Sequence, residues 1–120
     1  MTGDKHSLGR WGEEIGCNYL AERGYVILKR NLRTPHGEID ILASKENILV
    51  FIEVKTRSSN RFGFPETAVS PRKQAHMLRA AEAYFDNHPD APETWQFDVL
   101  AITSEPGCPP QIEHFENIIG

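Results

Sequence analysis

Residues 37–55 read Gly37-Glu38-Ile39-Asp40-Ile41-Leu42-Ala43, then Ser44-Lys45-Glu46-Asn47, then Ile48-Leu49-Val50-Phe51-Ile52-Glu53-Val54-Lys55. Both apolar runs are short and rich in β-branched residues, so each reads as a strand. The polar tetrapeptide 44–47 between them reads as the turn of an antiparallel hairpin. Side chains on a strand alternate faces with a period of two. One face then carries Ile39, Ile41, Ala43, Ile48, Val50, Ile52 and Val54, all apolar. The other carries Glu38, Asp40, Leu42, Leu49, Phe51, Glu53 and Lys55.

With Ser44–Asn47 as the loop, Ala43 is expected opposite Ile48, Asp40 opposite Phe51, and Glu38 opposite Glu53. Asp40 and Glu53 are then diagonal neighbours, roughly 7–8 Å apart at the backbone. A one-residue slip would bury Asp40 among the isoleucines, so the pattern selects against it. Two or three carboxylates and a lysine are thus gathered on one patch. Two carboxylates ~4 Å apart repel by about 1 kcal/mol in water and about 4 kcal/mol at an effective dielectric near 20. A hard divalent cation held by carboxylate oxygens offsets that repulsion. Lys55, on the same face, is placed to steady a water or a developing negative charge. An isolated Glu-x-Lys on a strand is usually a surface ion pair. Asp40 and the flanking apolar runs weigh against that reading here.

An Asp followed after a dozen residues by Glu-x-Lys on an adjacent strand resembles the metal-binding core of the PD-(D/E)xK nucleases. More closely, Gly9-Arg10-x-Gly12-Glu13, Asn31-Leu32-Arg33, Gly37-Glu38-Ile39-Asp40, Val50 to Arg57 and Pro71-Arg72-Lys73-Gln74 resemble the YraN-type family. That family is a bacterial group of presumed endonucleases within the restriction-endonuclease-like superfamily, which also holds archaeal Holliday-junction resolvases. The likeness runs in order from about Gly9 to about Ile102. It implies an α/β three-layer sandwich with a mixed central sheet flanked by helices. It also implies a Mg²⁺- or Mn²⁺-dependent endonuclease acting on DNA, branched or structured DNA included. Asp40, Glu53, the Val54 carbonyl and Glu13 would hold the metal, and Lys55 would complete the catalytic set. Resolvases of this fold act as dimers, so a homodimer is implied by analogy. The alternative is a nucleic-acid-binding or adaptor domain of the same fold with little or no turnover; carboxylates facing a phosphate backbone would serve such a domain poorly.

A chain of 120 residues is expected to form a single nuclease-like domain. Within it, 1–7 is read as a loose amino terminus and 104–120 as a carboxy-terminal extension. No apolar run approaches membrane-spanning length and no secretory signal is evident, so the cytoplasm is the expected location. Cys17 and Cys108 lack paired spacing, and His6, His36, His76, His88 and His114 lack ligand spacing, so all seven are read as structural or surface residues. The net charge of −4 argues against a nucleic-acid partner until its distribution is considered. Residues 1–79 hold all 13 Lys and Arg against 9 acids, whereas 80–120 hold 8 acids and no Lys or Arg. The amino-terminal two-thirds therefore suits a phosphate backbone, although such asymmetry also serves solubility.

A helix is expected from Ser7 to Arg23, stopped by Gly24, with Trp11, Ile15, Tyr19 and Leu20 as its buried stripe. Gly12 and Gly16, four apart, permit close approach by another element. Glu13 and Glu14 alternatively serve the helix dipole. A strand is expected from Tyr25 to Leu32. After Lys55, the stretch 56–65 carries Arg57, Arg61, Phe62 and Phe64. It suits a nucleic-acid strand by charge and stacking, and equally suits a connection whose aromatics tuck into the core. Ser70-Pro71 predicts a helix start, with Met77, Leu78, Ala81, Tyr84 and Phe85 on its apolar side as far as Asn87. Arg72 and Lys73 in its first turn oppose the dipole, which favours an anion nearby. The resemblance also implies a polar residue of this helix near the metal, so Lys73 and Gln74 join Arg57 and Arg61 as candidate nucleic-acid contacts. Trp95–Thr103 predicts a central strand, with Asp98 a structural acceptor, and Gln111–Phe115 a short edge strand before a fraying end.

Overall fold

A computed structural model of the protein describes residues 5–57 and 70–119. Helix α1 (Lys5–Glu22) precedes strands β1 (Val26–Thr34), β2 (Gly37–Lys45) and β3 (Ile48–Arg57). Helix α2 (Pro71–Asn87) then leads to β4 (Trp95–Thr103) and β5 (Gln111–Phe115). The five strands lie in the order β1-β2-β3-β4-β5. Only β3 and β4 are parallel, as the helical crossover between them requires. The result is the α/β, restriction-endonuclease-like sandwich with its mixed sheet between two helices.

The two sheet faces have different tenants. Cys17 and Leu20 of α1 pack on Ile41, Ala43, Val50, Ile52 and Leu100. Met77, Ala80 and Ala81 of α2 pack on Leu42, Leu49, Phe51 and Phe97. Burial on both faces explains why β3 and β4 read as nearly continuous apolar runs. Helix α1 begins at Lys5, so residues 5–7 belong to it rather than to a loose terminus. It ends in a Schellman motif: Tyr25 N–H reaches Leu20 O at 3.0 Å, Gly24 N–H reaches Ala21 O at 3.1 Å, and Gly24 takes φ +90°. On α2, Ala80 takes the inward position expected of Leu78, which is 38% exposed. The Ser70 side chain accepts from Lys73 N–H and Pro71 opens the helix, as expected.

The hairpin differs from expectation by two residues. Glu46 and Asn47 alone form the loop, with φ of 51° and 65°, the signature of a type I′ turn. Lys45 therefore pairs with Ile48, and Leu42 rather than Asp40 lies opposite Phe51. The twist of a two-residue I′ turn matches that of the strands, so Ser44 and Lys45 join the ladder. A two-residue shift preserves the faces, because their period is two. It also brings Asp40 level with Glu53, one step beyond the last ladder pair, Ile41↔Ile52. Glu38 instead pairs with Arg33 on β1, with Arg33 Nε 3.4 Å from Glu38 Oε2, so it does not face Glu53. Ile39 is a second departure: it packs with Leu42 on the α2 side while Ile41 packs on the α1 side. Strict alternation therefore does not extend as far as Ile39.

The carboxy-terminal residues are integral to the sheet. Strand β5 pairs with β4, Ile118 N–H donates to Phe97 O at 2.8 Å, and Ile118 and Ile119 pack on the α2-side core. The fraying expected there is not found for residues 116–119.

Candidate metal centre

Where the β2–β3 ladder stops, the Val54 N–H donates to Asp40 Oδ2 at 2.8 Å. A strand residue's N–H and C=O leave the same edge of the strand, so the Val54 carbonyl is directed to this side as well. The Asp40 and Glu53 carboxyls are close neighbours, and each acts on the other's ionisation. Burial, and next the Glu53 charge, push the Asp40 pKa up to about 7; the Val54 N–H and Lys73 act in the opposite direction. Burial likewise raises Glu53, against the charge of Lys73, its hydrogen bond and that of Asp40, and the charge of Lys55. Lys73 Nζ lies 3.1 Å from Glu53 Oε1, and the two side chains are 34% and 16% exposed.

Glu13 arrives from the other helix. A Cβ on Gly12 would collide with Thr56 Cγ2, and one on Gly16 would sit 3.2 Å from Leu100 Cδ1 and 3.4 Å from Ile41 Cδ1. The two glycines thus let α1 lie directly on β3, answering why helix-weakening residues stand there. Glu13 is half-buried, and its charge adds to the upward shift of Asp40. With the helix beginning at Lys5, Glu13 lies beyond the first turn, so the dipole does not explain it. Its neighbour Glu14 is committed to Arg30, with Nη1 and Oε2 3.0 Å apart.

Lys55 is exposed and its charge reaches Glu53. Gln74 is half-buried in the first turn of α2, its N–H bonded to Ser70 O at 2.8 Å. Arg57 is not brought to this group: Nη2 lies 2.9 Å from Glu113 Oε1 on β5, and the side chain is 12% exposed. Arg61, with Phe62 and Phe64, lies outside the described residues.

The Lys73–Glu53 pair escaped the sequence reading, which assigned Lys73 to nucleic acid. The available signal was a cation in a first turn that disfavours cations. Asp98 is a structural acceptor, as expected. Wholly buried, it accepts from Gln96 Nε2 and Asn117 N–H at 2.9 Å each, and its Oδ2 lies 2.7 Å from His114 Nε2. His114 was not foreseen as its partner; β5 brings it there, opposite Leu100. Among the described residues Asp98, His114 and Glu116 form a group with ligand spacing, but the Asp98 oxygens already have three partners.

Asp40, Glu53 and the Val54 carbonyl make an oxygen-rich donor set of the kind Mg²⁺ or Mn²⁺ takes. The Lys73 ammonium already offsets part of its negative charge, and such a set of hard oxygen donors fits a divalent cation.

A family profile described as "Uncharacterised protein family UPF0102" matches residues 12–102. The chain belongs to that family. UPF0102 is the YraN-type group that the motifs resemble, and the matched span contains Glu13, Asp40, Glu53, Lys55 and Lys73. The chain is similar to a UPF0102 protein of Syntrophomonas wolfei, 47% identical over 100 residues, covering 83% of this chain and 87% of that one. A UPF0102 protein of Syntrophotalea carbinolica is 44% identical over 115 residues, covering 96% and 93%. One from Frankia alni is 44% identical over 110 residues, covering 92% of each. UPF0102 membership assigns no activity. No helix among the described residues is long and apolar enough to cross a membrane.

Proposed function

We propose that this UPF0102 protein is a metal-dependent endonuclease that hydrolyses phosphodiester bonds in DNA, branched or structured DNA included. The observation that carries the reading is the half-buried Asp40–Glu53 carboxyl pair, with Asp40 bonded to Val54 N–H and Glu53 faced by Lys73. Withdrawing two like charges partly from water side by side costs stability, and apolar residues of similar size would usually serve a merely structural site better. A site that must hold Mg²⁺ or Mn²⁺ explains the arrangement.

Asp40 and Glu53 would hold the ion through carboxylate oxygens, with the Val54 carbonyl and Glu13 completing the shell. Bound there, a divalent ion supplies Lewis acidity toward the phosphoryl oxygens and a lowered pKa for the attacking water. Lys55, exposed beside Glu53, orients that water or balances charge developing on the phosphoryl group. Val54 N–H keeps Asp40 aimed at the site. The exposed cations Arg10, Lys55 and Arg72 are available to hold the phosphate backbone.

The test is cleavage of linear, flapped and four-way DNA with Mg²⁺ or Mn²⁺, comparing wild type with Asp40→Asn. Metal-dependent products from wild type, lost in the variant, are expected. Tight DNA binding without cleavage of any substrate would favour the adaptor alternative. Cleavage surviving in Asp40→Asn would remove Asp40 from the chemistry.

A further inference from the structure

We propose that Lys73 is a built-in counter-cation that competes with the metal ion for Glu53, so that ion binding must displace its ammonium from the carboxylate. The inference rests on the metal-centre reading above and adds a regulating element to it.

Three observations support it. The Lys73 ammonium is 3.1 Å from Glu53 Oε1, within the shell a metal would use. Mg²⁺ sits about 2.0–2.1 Å from its oxygens in a near-ideal octahedron, so an ammonium on the same carboxylate would both crowd and repel it. The helix start offers Lys73 no electrostatic reason to be there: the first turn of α2 has no acid, and a cation at a helix amino terminus is unfavourable. The Glu53 contact provides the compensation. Finally, Lys73 is able to leave. Its side chain is 34% exposed, and a lysine carries a compact charge on a flexible four-carbon stem. Its backbone N–H stays pinned by Ser70 Oγ at 3.2 Å while the side chain moves.

The site therefore has two charge-compensated states. In one, the Lys73 ammonium balances the Glu53 carboxylate. In the other a divalent ion does, and the released ammonium is free to meet a phosphate oxygen on the open side. Displacement lowers the apparent affinity for metal, so the ion binds more firmly when DNA is present to receive the lysine.

The test is calorimetric titration of Mn²⁺ into wild type, Lys73→Met and Lys73→Arg, with melting temperatures measured with and without the metal. Removing the competitor should tighten the Lys73→Met Kd roughly tenfold, an effect the size of one partly buried ion pair. The metal-free variant should melt lower than wild type, and saturating Mn²⁺ should remove that deficit. Lys73→Arg retains a cation and should bind Mn²⁺ no more tightly than wild type. A wild-type Kd that Lys73→Met leaves unchanged or weakens overturns the competition while the metal centre stands. Equal tightening in Met and Arg also overturns it, because charge would not be the cause. If wild type and Lys73→Met both fail to bind Mn²⁺, the metal centre and the competition fall together.

Discussion

The Val54 N–H donates to Asp40 Oδ2 at 2.8 Å, so a side chain of β2 replaces a backbone acceptor where the β2–β3 ladder ends. That bond holds a carboxylate against Glu53 despite the repulsion between them, and the site's behaviour follows from the compromise.

Metal should stabilise the wild type and not Asp40→Asn. A ligand binding only the native state contributes about 1.4 kcal/mol at ten times its Kd. For a domain of this size that raises Tm by roughly 5 °C. Thermal melts with Mg²⁺ or Mn²⁺ against monovalent salt at matched ionic strength check it. A rise persisting in Asp40→Asn would place the ion elsewhere.

The pH dependence of the metal-free protein has a definite sign. The native Asp40 pKa, about 7, is above its ordinary value of 3.8, so the folded state binds this proton more tightly than the unfolded state does. Its contribution to stability is complete below about pH 4 and is lost as pH rises through about 7. The neutral amide of the Asp40→Asn variant would mimic the protonated form throughout. In EDTA, Asp40→Asn should therefore melt slightly higher than wild type at pH 4.5, and its margin should widen clearly by pH 8. Equal melting at both values would mean that the carboxyl is not strained in solution.

Gly12→Ala should destabilise the protein by about 1–3 kcal/mol, the usual cost of overpacking. The new Cβ would drive α1 away from Thr56 and take Glu13 with it. Denaturant unfolding and Mn²⁺ titration should show both effects, a lower midpoint and weaker binding. Lost stability with unchanged metal affinity would remove Glu13 from the shell.

Arg57→Ala should act on stability more than on DNA binding. Its guanidinium is committed to Glu113, with side chains 12% and 33% exposed, so its removal should cost about 2 kcal/mol, less than for a fully buried pair. Lys55→Ala combined with Arg72→Ala should instead weaken DNA binding uniformly across sequences and reduce its salt slope by up to about two. Binding measured from 50 to 200 mM salt separates the two sets of variants.

The element order and most boundaries are legible in the residues themselves, because each rests on local chemistry. Ser70-Pro71 starts α2, Gly24 ends α1, and Trp95–Thr103 is the apolar run of β4. The face of the hairpin bearing Asp40 and Glu53 is legible too, since a period of two survives any even shift of register. The loop length is not. Ser44–Asn47 reads as four polar residues, and only pairing of Lys45 with Ile48 shows that two of them extend the strands.

Alternation along a strand is a property of the backbone, so the order of residues alone puts two acids and a lysine on one face of a sheet. Which partners those groups meet is a matter of packing. Lys73 reaches Glu53 only because α2 crosses the sheet on that face, Arg57 turns to Glu113 only because β5 lies beside β4, and His114 meets Asp98 for the same reason. These contacts join residues far apart in the chain. Local propensity carries no information about them; the packing of α2 on the sheet and the pairing of β5 with β4 supply it.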